Sequence, residues 1–585
     1  MRENQIEADF CVIGGGLSGL CAAVAAARHG AKTVLVHDRP VLGGNASSEI
    51  RVPVQGAFGS WDRSVRETGI IEEIMLETLY RNPAANWQMW DLAMHGIAKA
   101  EPNLTLLLNC SCTEASASGG RVHSVRAWQS TTQTWYQVAA PLFADCSGDS
   151  ILSSFAGAEM REGREAASEF DEPIAPKTAS STKMGMSIVF IWRDMGSPQR
   201  FMPPTWIHTY HNNDEAPKHM DEINLKPVNG SNGFFVELGG EDDTIHDSEE
   251  IKEELLKLGL GLIDHYKNHG EHGAENLTLE WFGFLPGKRE SLRYVGDHML
   301  CQKDVQQPNE FDDIVAYGGW PIDDHDSKGS LRKGKYSHDW FEVNCPYGIP
   351  FRSLYSKNVD NLMMAGRNIS ATHVALCTTR VMATCAVMGQ AIGTAAAIAV
   401  REGCTPREVG QRHIRELQSR LQDDDCWLPG LPRAIPAVSQ CATLTASTGD
   451  AEPLRNGHDR ENEDAGVLNA WCASPGDWAE YRFDEPTAIS RARIIFDSNL
   501  KRKWANMPLW YPRDGWDIHA PSTLVKSYHL LAETESGDWK EIYREEENFQ
   551  RLARFPVEIT TRAVRLVVEE TWGDEKVNVF AWDIA

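Results

Sequence analysis

The sequence predicts an α/β protein: a doubly wound parallel sheet, an inserted region, and an all-β sandwich toward the C-terminal end. Three observations predict this. Residues 9–38 read as strand, glycine turn, alanine-rich helix and strand. An apolar strand and a long alanine-rich helix return between residues 361 and 401. After about residue 440, alternating runs separated by turn residues replace the helices.

Composition bounds the function classes. The chain has 585 residues, 42% hydrophobic and 24% charged, which is long enough for several cores and too apolar for wholesale disorder. Its 83 acidic and 57 basic side chains leave a formal charge of −26. Such a surface argues against nucleic acid and anionic bilayers as partners. No stretch approaches the ~20 continuous apolar residues that span a bilayer. Met1–Glu7 lack the basic start and apolar core of a secretion signal, so the expected location is cytoplasmic. Thirteen cysteines, with no Cys-x-x-Cys pair, read as reduced thiols, and no metal site is read from the spacing.

The elements follow in order. Asp9–Ile13 is a buried strand, Leu20–Arg28 a helix ended by Gly30, and Thr33–Val36 a second buried strand. Leu104 to about Asp145 is strand-rich, broken into hairpins by turns such as Gly119-Gly120. One helix starts near Asp247, with Glu250 three residues on as in a capping box. Its Ile251, Leu255, Leu258, Leu262 and Tyr266 recur at helical spacing and read as core. Leu362–Ala365 is strand-like, and a helix of about Thr379–Arg401 follows. The runs Trp478–Phe483, Ala492–Phe496, Tyr528–Ala532 and Ala563–Val568 are the mark of an antiparallel sandwich. The expected divisions are 1–165, 166–345 (an inserted substrate region), 346–430 (which returns to the first part) and 440–585.

Gly14-x-Gly16-x-x-Gly19 has a mechanical reading. Gly14 permits the tight turn, Gly16 lets backbone approach a pyrophosphate, and Gly19 lets helix and strand pack closely, with the helix N-terminus facing the anion. The acidic residue that holds a ribose hydroxyl is assigned to Asp38, nineteen residues after Gly19; strict alignment of the strand end puts His37 there instead. NAD and FAD share this fingerprint. Further along stand Leu42-Gly43-Gly44, Phe143-Ala144-Asp145-Cys146-Ser147-Gly148-Asp149, Asn361 to Ser370 with Gly366-Arg367, and Gly389-Gln390-Ala391-Ile392-Gly393. With these segments in this order, the chain resembles the FAD-dependent oxidoreductases of the two-part, fumarate-reductase-like superfamily. The resemblance implies a Rossmann-like FAD-binding domain. It also implies a set of cofactor contacts. Gly14, Gly16, Leu17, Ser18 and Gly19 are the expected contacts in the first turn, with Asp38 and Arg39 after the second strand. Gly43, Gly44, Asn45, Ser47 and Cys112 come next, followed by Ser147, Gly148, Asp149, Gly366, Arg367 and Arg380. Arg380 is the expected stabiliser of negative charge on the reduced flavin.

Catalysis at a flavin needs an oriented C–H bond and a group to take the hydroxyl proton. His373 lies between the Gly-Arg segment and the closing helix, which passes the ring in related flavoproteins; it is the expected base or a flavin hydrogen-bond partner. His298 is a second base candidate, and Arg289, in Leu285–Tyr294, is the expected substrate-orienting cation. Nineteen tryptophans, among them Trp61, Trp87, Trp90, Trp281 and Trp320, fit either a carbohydrate pocket or core packing. Residues 440–585 resemble galactose-binding-like or discoidin-like modules through Trp471, Trp478, Phe483-Asp484-Glu485-Pro486, Ser536-Gly537-Asp538-Trp539 and Ala563-Val564-Arg565-Leu566. The reading is an FAD-dependent oxidoreductase that removes hydride from a hydroxyl of a carbohydrate-like or polyol substrate. No second glycine fingerprint appears downstream, so electrons are expected to pass to an external acceptor. Two alternatives stay open: redox-neutral glycoside cleavage by oxidation, elimination and reduction, and a glycan-binding protein with a degenerate flavin site. A homo-oligomer is a further possibility.

Overall fold

A computed structural model of the chain describes residues 2–57, 63–217, 234–308, 310–332, 337–462, 466–502 and 519–585. The described residues form two compact units: one from 2–57 and 84–417, the other from 63–83 and from 418 onward.

The first unit is organised by a parallel sheet of β1 (Phe10–Ile13), β2 (Thr33–Val36), β3 (Leu104–Leu107), β4 (Leu142–Asp145) and β5 (Leu362–Met364), in the order β5-β4-β1-β2-β3. Every residue of β1, β2, β4 and β5 is buried, as a parallel sheet covered on both faces requires. The register sets Ile13 opposite Val36 and Asp145, and Asp145 opposite Met364. The carboxyl ends of the strands therefore finish together, the edge at which open α/β sheets bind ligands.

Three helices follow strands of this sheet in the chain: α1 (Leu17–Arg28) after β1, and α2 (His373–Thr379) and α3 (Met382–Glu402) after β5. The helix expected over about 379–401 is α3, which starts at Met382; α2, a helix the sequence does not predict, precedes it, and Arg380 and Val381 cap the two. α3 meets α1 through glycines spaced four apart. A Cβ on Gly389 would lie 2.0 Å from the Ser18 carbonyl oxygen, and one on Gly393 would lie 2.1 Å from that of Ala22. The two backbones thus touch without intervening side chains. α3 has a mean hydropathy of 1.6 and enough length to cross a bilayer, but 94% of that stretch is buried, so its apolarity is that of a core helix.

The remaining pieces of this unit form separate, smaller sheets. Cys110–Ser118, Arg121–Gln129 and Thr134–Ala139 are the expected hairpins, and Arg2–Glu7 adds a strand in parallel to Thr134–Ala139. In the inserted region Met186–Asp194 pairs with Phe234–Leu238, Leu277–Phe282 and Gly287–Lys288. Helix Ser248–Asn268 lays Ile251, Leu255, Leu258, Leu262 and Tyr266 onto Ile188, Phe190 and Trp192. Asp247 is its N-cap residue, but no capping box forms; the carboxylate accepts the Asp243 N–H instead (3.1 Å).

The second unit is a seven-stranded antiparallel sheet closed over one core that includes Trp471, Tyr481, Tyr528 and Trp582. Its long strand Trp478–Phe496 joins two runs that the sequence reads as separate, and Leu552–Thr571 extends the run Ala563–Val568, with irregularities between Arg482 and Thr487 that let each serve two sets of neighbours. Helix Ile70–Arg81 belongs to this unit, whereas the sequence places it in a first block of 1–165. The reason is electrostatic and aromatic. Glu72, buried, accepts from Ser498 Oγ (2.7 Å) and pairs with Arg502 (2.7 Å), and Tyr80 stacks on Phe549 with centroids 4.1 Å apart.

The α1–α3 contact generates a stability prediction. Gly389→Ala and Gly393→Ala each force two backbones apart and should destabilise the first unit by about 1–3 kcal/mol in denaturant unfolding. Wild-type midpoints in both variants would contradict this packing.

Candidate functional site

The glycine turn between β1 and α1 is crowded on three sides and open on one. Gly14 has φ +100°, and a Cβ there would lie 2.5 Å from the Cys146 carbonyl. A Cβ on Gly15 would strike the His37 ring at 2.6 Å, and one on Gly19 would sit 1.8 Å from the Gly14 oxygen. At Gly16 the nearest atom is 3.9 Å away. Gly16 is the N-terminal cap of α1, whose first N–H groups have no intrahelical acceptor, so the open side faces a ready anion site. Leu17 and Ser18 are buried in that first turn.

A second glycine turn closes on the first. Gly43 (φ +105°) donates its N–H to the Gly15 carbonyl (2.8 Å) and bridges Gly16, and Gly44 follows at φ +60°. Arg39 reaches the same turn. Its Nη1 is 3.8 Å from Glu49 and has no hydrogen-bond partner, although it is buried. Asn45 donates to the Lys288 carbonyl (2.9 Å), and the buried Ser47 hydroxyl has no partner. His37 is structural: Gly15 N–H donates to its Nδ1 (3.0 Å). Asp38 is the group at the strand end that faces solvent, with its side chain 63% exposed. Cys110 donates to the His37 carbonyl (2.8 Å), which sets Cys112 beside this strand end; burial pushes the Cys112 thiol up to about 12.

The return segment completes the crevice. Asp145, at the end of β4, is fully buried and accepts from Ser147 N–H (3.0 Å), Leu152 N–H (2.8 Å) and Tyr294 OH (2.7 Å). Burial pushes its carboxyl up despite those donors. Gly148 (φ +77°) leaves room for Arg367, whose Nε would lie 2.8 Å from a Cβ there. Asp149 pairs with Arg367 and with Lys288 Nζ (2.9 Å); burial opposes its ionisation, but the two cations pull the pKa down to about 2. Gly366 (φ +118°) sits 3.1 Å, at Cβ, from Ser18 Oγ. Segments 14–19, 43–47, 145–149 and 366–367 therefore meet around the first turn of α1. Arg380 does not join them. Its Nη2 donates to the Asp323 carbonyl (3.0 Å) and carboxylate (3.1 Å).

His373 opens α2 as a buried residue held between two carboxylates. Nδ1 lies 2.9 Å from Glu290 and Nε2 lies 3.1 Å from Asp324, while the backbone N–H donates to Glu165 (2.8 Å). Burial favours the neutral ring, but Glu290 and Asp324 overcome it and raise the pKa well above the ordinary value of 6.5. Asp324 also takes a bidentate pair from Arg164 (2.8 and 2.9 Å). As it stands, the ring presents no free lone pair. Arg289 is buried against Glu237, with the Ser187 hydroxyl as a further acceptor. His298 stands apart: its partners are Asp304 (2.9 Å) and Phe311, and none of them is shared with His373.

Several residues in this cluster escape sequence reasoning. Lys288, Arg289 and Glu290 diverge from one extended segment to Asp149, Glu237 and His373. The alternation of an extended chain is the signal that could have separated them. Glu165, Asp323 and Asp324 carry no local motif. Of the tryptophans, Trp281 and Trp87 flank the Arg51 guanidinium at 4.3 and 5.8 Å, and Trp90 donates to the Ala46 carbonyl (2.8 Å). Trp320 packs on Trp340 with centroids 5.4 Å apart; Trp61 lies outside the described residues.

The crevice fits a dinucleotide. It has an open glycine face at a helix N-terminus and two buried donors, Arg39 Nη1 and Ser47 Oγ, without partners. Residues 9–421 match the family model for FAD dependent oxidoreductases. The chain belongs to that family. No curated protein matches the sequence significantly. Among solved structures, the FAD-dependent oxidoreductase is similar to a geranylgeranyl bacteriochlorophyll reductase-like protein from Thermoplasma acidophilum. The identity is 11%, over 72% of this chain and 85% of that one, with a TM-score of 0.32. It is also similar to the family 32 carbohydrate-binding module of Streptococcus pneumoniae EndoD (16% identity, 25% of this chain, 97% of that one, TM-score 0.19). A third likeness is to chitosan-binding module 1 of a Paenibacillus sp. IK-5 chitosanase/glucanase (13% identity, 25% and 97%, TM-score 0.18).

The glycines of this oxidoreductase should separate by substitution. Gly16→Val, at ordinary φ with open space around it, should leave apoprotein stability within about 0.5 kcal/mol of wild type and abolish FAD retention on gel filtration. Gly19→Val should unfold the first unit. Retention of FAD by Gly16→Val would contradict the assignment of its open side.

Proposed function

We propose that this FAD-dependent oxidoreductase takes hydride from a hydroxyl-bearing carbon of a carbohydrate-like or polyol substrate and hands the electrons to an external acceptor. Gly14–Gly19, Arg39, Gly43–Ser47, Ser147–Asp149 and Gly366-Arg367 would hold the cofactor. Bound FAD supplies the two-electron acceptor. The observation that carries the reading is the row Glu290–His373–Asp324, which closes the one stretch of chain between the Gly-Arg turn and α3. The half-exposed Trp340, paired with Trp320, offers an aromatic face of the kind that stacks on sugar rings.

The row sets the direction of proton movement. Oxidation of R2CHOH to R2C=O releases one hydride and one proton, and the proton needs an acceptor. His373 keeps its own proton near neutrality, so it serves as an acid in the carbonyl-reducing direction. It becomes an acceptor above its raised pKa, when the substrate hydroxyl takes the place of Asp324 at Nε2. Asp324 is the partner open to displacement, with its side chain 23% exposed against 0% for Glu290.

Two measurements test this. Anaerobic mixing of the flavin-loaded enzyme with a panel of sugars and polyols should bleach the flavin with at least one member. Bleaching by amines alone, or by nothing in the panel, would contradict the substrate class. With a reducing substrate, the bleaching rate should rise with pH through an inflection above about 6.5. Glu290→Gln, which removes the carboxylate that raises the His373 pKa, should move that inflection to lower pH. A pH-independent rate, or an inflection unmoved by Glu290→Gln, would remove His373 from the proton path.

A further inference from the structure

Beside the His373 row, a two-stranded ribbon carries a second cluster that the proposed reaction does not use. Strands Ile322–His325 and His338–Phe341 pair antiparallel, with His325 directly opposite His338. Asp323 and His325, two apart on one strand, share a face. One carboxylate oxygen of Asp323 and one ring nitrogen each of His325 and His338 lie within 4.8 Å of one another.

One detail separates this cluster from an ordinary ion-pair network. Asp323 is 8% exposed, and although its Oδ2 takes Arg380 and His325, its buried Oδ1 has no hydrogen-bond partner. His325 faces carboxylates with both nitrogens: Glu237 lies 2.8 Å from Nδ1, and Asp323 lies 3.1 Å from Nε2. An imidazolium would donate to both, as the His373 ring does between its two carboxylates, whereas a neutral imidazole has one N–H and satisfies only one of them. A cation bound by Nε2 and Asp323 would resolve the other, while Nδ1–H donates to Glu237. That is the carboxylate–histidine–metal arrangement in which an outer carboxylate sets the tautomer and aims the ligating nitrogen. Glu237 is itself fixed, by Arg289 and through its own N–H to Ser330 Oγ (2.9 Å).

We propose that Asp323, His325 and His338 form a binding site for a divalent first-row transition-metal cation, with Glu237 as the outer carboxylate that orients His325. Two imidazoles and one carboxylate suit that class, whereas Mg²⁺ and Ca²⁺ favour all-oxygen sets. Three protein ligands leave positions open, and Arg289 and Arg380 beside them favour an anionic oxygen donor there. The neighbouring group Asp324, His373 and Cys377 also has ligand-type atoms close together, but it belongs to the His373 row. The sequence hides the site because Asp323-x-His325 and His338 meet only when the ribbon pairs.

Zn²⁺ is the suitable probe because it exchanges no electrons with a flavin. The flavin-loaded protein is stripped with chelator, incubated with Zn²⁺ and desalted in millimolar Mg²⁺, and its metal content is measured by mass spectrometry. One equivalent per chain should be retained, and X-ray absorption at the zinc edge of the wild type should show two imidazole ligands. Asp323→Asn and His338→Ala should weaken retention at least tenfold, and Glu237→Gln about 10–100-fold, at unchanged flavin content. No retained Zn²⁺, displacement by Mg²⁺, or an all-oxygen absorption signature would overturn the site. These readouts do not depend on substrate turnover, so they stand or fall apart from the oxidation proposed above.

Discussion

The structure of the first unit depends on one constraint: backbone must touch backbone around the first turns of α1. The Gly14 carbonyl lies where a Cβ of Gly19 would be, the Cys146 carbonyl lies where one of Gly14 would be, and the Ser18 and Ala22 carbonyls occupy those places at Gly389 and Gly393. α1 is thus pinned between the end of β4 and α3 with no side chain as spacer. The pinning leaves Gly16 as the turn's one open face and aims the unpaired N–H groups of the helix at it. A crevice for a diphosphate follows from packing before any ligand contact is considered.

Charge placement does the rest of the organising. From one extended stretch, Lys288 reaches Asp149 on the nucleotide side, Arg289 reaches Glu237 at the ribbon, and Glu290 reaches His373. Removing one partner of a buried pair leaves the other charge uncompensated, at about 3–5 kcal/mol. The stretch therefore ties the nucleotide crevice, the His373 row and the Asp323–His325–His338 ribbon into one framework within the unit. Arg380 takes part through Asp323 rather than at the glycine turns, so its effect on the flavin would pass through that framework.

What was legible in the sequence was local or backbone-dictated. The glycine turn, β1, β2, α1 and the core stripe of helix Ser248–Asn268 are written in residues close together in the chain. So is the meeting of Ser147–Asp149 with Gly366-Arg367, because those segments carry their own glycines. The illegible parts are long-range pairings. Helix Ile70–Arg81 lies within the block expected over 1–165, and Arg502 and Phe549, more than four hundred residues away, tie it to the second unit. His373 reads as a base or a flavin hydrogen-bond partner, without its carboxylates, because Glu290 and Asp324 come from other parts of the chain. α2 goes unread because His373–Thr379 is a short helix with β-branched Thr378 and Thr379 at its end.

The most direct test of the account is a crystal structure of the protein with FAD. The diphosphate should lie against Gly16 and the N–H groups of Leu17 and Ser18, with Arg39 and Ser47 making the hydrogen bonds they lack here and Arg367 still paired to Asp149. A nucleotide bound elsewhere, or a crevice at Gly16 filled by side chains with FAD absent from it, would contradict the account.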